Sequence, residues 1–291
     1  MQQLALNGIG NRKVIPFTQG LLKWIGNKQR FAPEIVSYFA DCASYFEPFL
    51  GSGGVLATLA PKVAMASDCF PPLIEIWQTL SSSPSVLTKW YEDRWNFYKE
   101  GDRVKQYETI KASYNSNPNG ADLLFLCRSC YGGVVRFRKA DGYMSTPCGI
   151  HEPIHPRSFS RRVDQWASRI KGTTFRLLTY QDAMSLARAG DLIYCDPPYS
   201  DTQAILYGAQ SFSLPSLIEV IAQCKSRGVY VALSIDGTKQ SGLRDVKLPI
   251  PSGLFEREVS IHCGRSMLKR FQMNGRTLQG NLVTDRLLLT Y

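Results

Sequence analysis

The sequence predicts an α/β fold interrupted by a long, mostly helical insertion. Three observations predict it. First, Tyr45-Phe46-Glu47-Pro48-Phe49-Leu50 reads as a short buried strand, Gly51-Ser52-Gly53-Gly54 as a tight turn, and Val55 to Ala60 as the start of a helix. A second strand, Lys62 to Asp68, follows and ends in an acid. Strand, glycine turn, helix is a nucleotide-binding layout, because glycines let the backbone approach a ligand closely. Second, the same alternation returns late in the chain. Strands are expected at Thr173–Leu178, Gly190–Cys195 and Gly228–Asp236, with helices opening at Gln181-Asp182 and over Leu214–Ser226. Phe255–Ile261 and Arg286–Thr290 read as closing strands. Third, the rhythm stops between Ser81 and about Lys171. Residues 1–80 and 172–291 therefore read as one discontinuous α/β unit, and 81–171 as an insertion.

The totals fit this division. A chain of 291 residues with 44% hydrophobic and 20% charged residues can bury one sizeable core. No run of about 18 apolar residues occurs, so no membrane span is expected. The first residues, Met1 to Gly8, lack a basic-then-apolar signal pattern, and a cytoplasmic protein is the expectation. The net charge of +10 favours a polyanionic partner, nucleic acid first. The charge is uneven: ten Lys/Arg fall between Arg128 and Arg176, against Asp141, Glu152 and Asp164.

Residues 1–22 read as an arm. The donor-rich loop Lys23-Trp24-Ile25-Gly26-Asn27-Lys28 leads into a helix with Phe31, Ile35, Val36 and Phe39 on one face. Asp68 lies at the distance beyond the glycine turn expected of an acid that grips ribose hydroxyls; a helix N-cap ahead of Pro71 is its other reading. Within the insertion, Ser85–Glu100 and Asp102–Asn115 read as amphipathic helices, and Ala121–Tyr131 as a third. Val134 to Pro147 reads as a β-hairpin with Asp141-Gly142 at its turn. It carries Arg136, Arg138 and Lys139, and such ribbons fit the DNA major groove. Cys127-x2-Cys130 and Cys148-x2-His151 have zinc-like spacing. Because Cys127 and Cys130 sit in a helical stretch, buried free thiols are expected ahead of zinc, and no metal is assigned.

The strand Leu192-Ile193-Tyr194-Cys195 stops at Asp196-Pro197-Pro198-Tyr199. Two prolines end the strand and stiffen the chain, which holds an acid and an aromatic ring at a strand's carboxyl end. That set suits a planar, amino-bearing base.

Lys23-Trp-Ile-Gly-Asn-Lys28, Glu47-Pro-Phe-Leu-Gly-Ser-Gly-Gly54, Asp68, a basic helical insertion and Asp196-Pro-Pro-Tyr199 stand in one order. This order resembles the Dam-type family of DNA adenine-N6 methyltransferases, over nearly the whole chain. Arg128-Ser-Cys-Tyr131-Gly-Gly-Val-Val-Arg-Phe-Arg138 is similar to that family's recognition sequence. The resemblance implies a Rossmann-like methyltransferase fold, S-adenosylmethionine as cofactor and double-stranded DNA as partner; no obligate protein partner is evident. It implies Trp24, Lys28, Glu47, Pro48, Phe49, Gly51, Gly53 and Asp68 around the cofactor, with Lys28 at its carboxylate and Asp68 on its ribose. Asp182 would bond the cofactor's adenine amino group. Asp196 to Tyr199 would form the target-base pocket and also border the cofactor. Arg128, Tyr131, Arg136, Arg138 and Lys139 would contact DNA, Arg136 either at a guanine or at a phosphate.

The chemistry suits the residues. An exocyclic amine is a poor nucleophile because its lone pair is delocalised into the ring. Asp196 and a backbone carbonyl at Pro197 can accept both amino hydrogens and draw the nitrogen toward a tetrahedral state. Such an amine is out of reach inside a duplex, so the base must be flipped out. Cytosine N4 is the alternative target, and an inactive DNA-binding protein on the same scaffold a second alternative. Arg138 stands where relatives more often carry a neutral polar residue, which leaves a GATC-like site as one reading of the recognised sequence.

Overall fold

A computed structural model describes residues 14–138, 140–198, 212–236, 238–239, 244–245, 250–264 and 283–291. The first half contains α1 (Ala32–Ser37), β1 (Tyr45–Glu47), α2 (Gly54–Leu59), β2 (Ala64–Asp68) and α3 (Pro71–Ser82). The insertion contributes α4 (Pro84–Lys99), α5 (Arg103–Ser116), α6 (Gly120–Ser129), a 3-10 turn at Tyr131–Gly133, and α7 (Pro156–Arg169). Then come β3 (Thr173–Leu177), α8 (Tyr180–Ser185), β4 (Leu192–Cys195), α9 (Leu214–Ser226) and β5 (Tyr230–Asp236). A two-stranded ribbon, β6 (Thr238–Lys239) with β7 (Arg244–Asp245), precedes β8 (Arg257–Gly264) and β9 (Val283–Leu289).

Local chemistry sets the helix starts. Asp102 caps α5 by accepting the Val104 and Lys105 N–H groups, and Asn119 caps α6 through Asp122 N–H. Pro156 occupies the first turn of α7, where its missing donor costs nothing. Phe159, Val163 and Trp166 then recur at helical spacing and are buried.

Among the described residues the main sheet runs β3-β2-β1-β4-β5-β9-β8. β3, β2, β1, β4 and β5 are mutually parallel, whereas β9 lies antiparallel between β5 and β8. This is the expected Rossmann-like methyltransferase fold. The order reverses direction between β1 and β4, and the crevice outside the carboxyl ends of those strands is where such sheets bind ligands. The antiparallel β9 works differently: Asp285, its third residue and the first to pair with β5, stands opposite the end of β5 at Asp236. One apolar cluster runs from sheet into insertion, since Trp77 stacks on Phe175 of β3 at 5.8 Å and meets Trp166 of α7 at 5.2 Å. No helix among the described residues is long and apolar enough to cross a membrane.

The hairpin differs from expectation. Val134 to Pro147 does form a turn at Asp141-Gly142, with Gly142 at φ +68° donating to the Arg138 carbonyl, but among its described residues there is no continuous ladder. Its cross-strand pairing comprises the isolated bridge Phe137 to Met144 and the Ser145 and Arg138 N–H bonds. Side chains take the other backbone groups: Asn115 bonds both the N–H and C=O of Met144, and Thr146 Oγ1 accepts from Arg136 N. Phe137 turns inward against Phe70 and Tyr114, which ties the loop to the start of α3 and to α5. Cys127 and Cys130 are buried thiols, with the Cys130 thiol donating to the Cys127 carbonyl, and Cys148 Sγ lies 3.9 Å from the Tyr98 hydroxyl.

Candidate active site

Gly51 follows β1 at φ +47°, a left-handed conformation that an L side chain resists, and an added Cβ would meet the Trp24 ring at 3.3 Å. This conformation turns the Gly51 N–H onto Asp68 Oδ2 at 3.2 Å, while the Gly51 carbonyl accepts from Trp77 Nε1. Asp68 Oδ1 accepts from Phe70 N–H, so the carboxylate is held at both ends while facing the cavity. Burial raises the Asp68 carboxyl to about 6 despite these donors.

The loop from Lys23 to Lys28 closes the other side. Gln29 fixes it: Nε2 donates to the Phe17 carbonyl, and its backbone lies against Gly54, where an added Cβ would come within 2.9 Å. The Lys28 side chain thus points inward and is 7% exposed.

The result is a cavity of about 330 Å³ at the sheet's switch point. Trp24, Lys28, Glu47, Pro48, Phe49, Gly51, Asp68, Asp196 and Pro198 line it together. Tyr180 and Phe212, which no sequence motif marks, complete an aromatic wall. Tyr180 stacks on Phe49 at 5.3 Å, and Phe212 meets Phe49 edge-on at 5.9 Å. They reach the crevice through the placement of α8 and of the chain entering α9.

The floor is dominated by charge. Lys28 Nζ lies 2.9 Å from Asp196 Oδ1 and 3.5 Å from Asp285 Oδ2. Glu47 is buried and accepts a 2.6 Å hydrogen bond from the Tyr45 hydroxyl. Its carboxyl is pushed up to about 8, first by burial, with the nearby Asp196 charge adding; the Tyr45 bond opposes this. The Tyr194 hydroxyl donates to Ser234 Oγ and stays protonated because it too is buried beside Asp196. Asp196 therefore stands at the cavity edge as an acceptor, backed by an ammonium and a neutral acid.

Several expected site residues stand elsewhere. Asp182 is exposed and outside the cavity lining; it is tied to Thr179, whose hydroxyl donates to Asp182 Oδ2 and accepts from Asp182 N–H. That is a helix-capping exchange, and the Thr179-x-x-Asp182 spacing already signals it. Gly53 faces the core, with Trp77 and Trp166 where its Cβ would be, and Pro197 is buried outside the lining. Arg128 is 4% exposed: it donates to the Gly20 and Leu21 carbonyls and lies over the Phe159 ring. Its guanidinium is turned to the protein's own backbone and leaves little surface for the DNA contact that the resemblance implies. Tyr131, Arg136 and Arg138 are exposed, although Arg138 is paired to Asp141 and stacked on Tyr143 at 4.2 Å. Lys139 and Tyr199 lie outside the described residues.

The family model described as D12 class N6 adenine-specific DNA methyltransferase matches residues 24–249. A DNA adenine methylase of Vibrio cholerae serotype O1 is 25% identical over 229 residues, 74% of this chain and 80% of that protein. A type II methyltransferase of Lactococcus lactis subsp. cremoris is 24% identical over 242 residues, 75% and 80% of the two chains. A DNA N-6-adenine-methyltransferase of Escherichia phage P1 is 24% identical over 243 residues, which is 78% of this chain and 31% of that protein. The match spans the loop bearing Lys28, the glycine turn, Asp68, the insertion and Asp196, and the chain belongs to the D12 class of N6 adenine-specific DNA methyltransferases.

Proposed function

We propose that this protein moves a methyl group from S-adenosylmethionine to the N6 of an adenine turned out of duplex DNA. The observation that carries the reading is one cavity bordered both by Phe49, Gly51 and Asp68 and by Asp196 and Pro198. The residues suit the donor. A flat aromatic wall of Phe49 and Tyr180 takes a nucleobase, Gly51 leaves room that a side chain would fill, and Asp68 offers a carboxylate to a diol. When bound, the donor supplies an electrophilic sulfonium methyl and leaves with the electron pair of the broken C–S bond.

The remaining work falls to this chain. Asp196 and the Pro197 carbonyl accept the two N6 hydrogens, which draws the lone pair out of the ring and aims it at the methyl. Lys28 holds Asp196 in position. Tyr199 stacks on the extruded base, the role that the resemblance implies. Residues 81–171 act as the recognition unit, with Tyr131 and Arg136 exposed on the loop that Phe137 anchors beside the cavity. Lys139 belongs to the same loop. An enzyme of this kind works on cellular DNA in the cytoplasm.

The test uses tritiated S-adenosylmethionine and duplex DNA from a methylation-free host. The modified DNA is digested and the nucleoside identified by mass. N6-methyladenine is expected, and Asp196→Ala abolishes transfer while DNA binding survives. N4-methylcytosine, or undiminished transfer by Asp196→Ala, would overturn the reading.

A further inference from the structure

We infer that Asp285 is a positioning residue for methyl transfer, acting on Asp196 through a shared Lys28 ammonium. The inference rests on the methyl-transfer reading above and adds a residue that neither the sequence motifs nor the family match, which ends at residue 249, contains.

The geometry makes the case. Lys28 Nζ is 2.9 Å from Asp196 and 3.5 Å from Asp285, so one ammonium serves two carboxylates. Both the lysine and Asp285 are 7% exposed. A carboxylate that buried is costly unless a charge compensates it. Its neighbours on β9 do different work: Leu287, Leu288 and Leu289 are all buried apolar residues, and Arg286 reaches outward to Glu258. Asp285 is the residue at which that strand enters the ligand end of the sheet, and it gets there because β9 runs against its neighbours.

Sharing has a chemical consequence. An ammonium bound to Asp196 alone would draw electron density from it and compete for its lone pairs with the substrate amine. Asp285 takes part of that attraction. The ammonium remains close enough to orient Asp196, while Asp196 keeps the acceptor strength that the N6 hydrogens need. Glu47, the third acid on this floor, is protonated at neutral pH and cannot take over the role.

Loss of a positioning role of this kind lowers turnover rather than binding, and it has no effect when Lys28 is absent. The experiment measures methyl transfer by wild type, Asp285→Asn, Asp285→Glu, Lys28→Met and the Lys28→Met/Asp285→Asn double variant, on duplex DNA from a methylation-free host. S-adenosylmethionine affinity is followed separately by titration calorimetry. Asp285→Asn is expected to lose about tenfold in kcat, with KM for DNA and Kd for S-adenosylmethionine within about twofold of wild type. Asp285→Glu restores most of the loss. In the Lys28→Met background, Asp285→Asn costs nothing more. An unchanged kcat in Asp285→Asn overturns the inference, as does a loss that appears in binding, or one that adds fully to the loss from Lys28→Met. Asp285→Ser, which admits water, carries the same comparison should Asp285→Asn not fold. Absence of transfer by the wild type would instead overturn the methyl-transfer reading, so the two failures are distinguishable.

Discussion

The Lys28 ammonium sits 2.9 Å from Asp196 Oδ1, joining the loop before α1 to the strand end that carries Asp-Pro-Pro. The resemblance implies Lys28 at the carboxylate of the cofactor; the structure also pairs it with Asp196, which in the proposed reaction accepts from the target amine. Lys28→Met should therefore damage both. Removing one partner of a buried pair leaves the other charge uncompensated. We expect kcat to fall at least about tenfold and unfolding free energy to drop by about 1–3 kcal/mol, a size set by the partial exposure of Asp196. Lys28→Arg, which keeps the charge, should recover stability better than turnover. Denaturant melts and single-turnover transfer check both.

Glu47 gives a pH prediction. Its carboxyl has an ordinary value of 4.5 and is pushed up to about 8 in the fold. Between those values the folded protein holds a proton that the unfolded chain has released. Stability from this group is therefore complete below the lower value and is lost as pH rises through the upper one. The whole effect amounts to a few kcal/mol at most. Asp68, raised to about 6, adds a second loss at lower pH with the same sign. Glu47→Gln should flatten the decline between about pH 5 and 8 while leaving the Asp68 part between about pH 4 and 6, as read from melting temperature against pH. A wild-type curve that rises over this range would refute the buried neutral acid.

Gly54 tests how the glycine turn and the lysine loop depend on each other. A Cβ there would come 2.9 Å from Gln29 backbone atoms, and Gln29 is pinned by its bond to the Phe17 carbonyl. Gly54→Ala must push the loop outward and carry Lys28 with it. A stability loss of about 1–3 kcal/mol is expected. S-adenosylmethionine affinity should weaken about tenfold, equivalent to roughly 1.4 kcal/mol. Calorimetry on the folded variant measures the second effect, and unchanged affinity would show that the loop yields without moving the site.

Much of this arrangement was legible in the sequence, for stated reasons. The strands announced themselves as short apolar runs, and Gly51, Asp68 and Asp196 stand at strand ends where the turn chemistry is local. What required the fold was whatever topology assembles. Tyr180 and Phe212 are ordinary apolar residues in sequence and become a wall only when the starts of α8 and α9 converge. Asp285 reaches the floor because β9 runs antiparallel. The place of Asp182 outside the cavity lining has a local sign in Thr179, three residues upstream. α7 carries a signal too, the Phe159, Val163 and Trp166 period, set among arginines.

That lesson bears most on the basic residues, because a charge count does not say which way a side chain points. Arg128 and Arg136 lie eight residues apart and face opposite environments. Arg128 holds the arm at Gly20 and Leu21 from inside, joined there by Arg162 on the Gly20 carbonyl and Trp166 on the Gln19 carbonyl. Arg136 is exposed beside Phe137, whose ring is fixed against Phe70. Arg128→Met should lower unfolding free energy through lost bonds to the arm, by about 2–3 kcal/mol, seen as a lower melting temperature, and leave the salt dependence of DNA binding unaltered. Arg136→Ala should leave melting unchanged and weaken DNA binding. If Arg136 contacts a phosphate, the slope of log affinity against log salt falls by about one. If it reads a base, the slope stays and sequence preference relaxes, at a cost of about 1–3 kcal/mol for the preferred site. Fluorescence anisotropy across a salt series, with matched and scrambled duplexes, separates these outcomes. A reduced salt slope in Arg128→Met would show that the buried guanidinium is released to meet DNA.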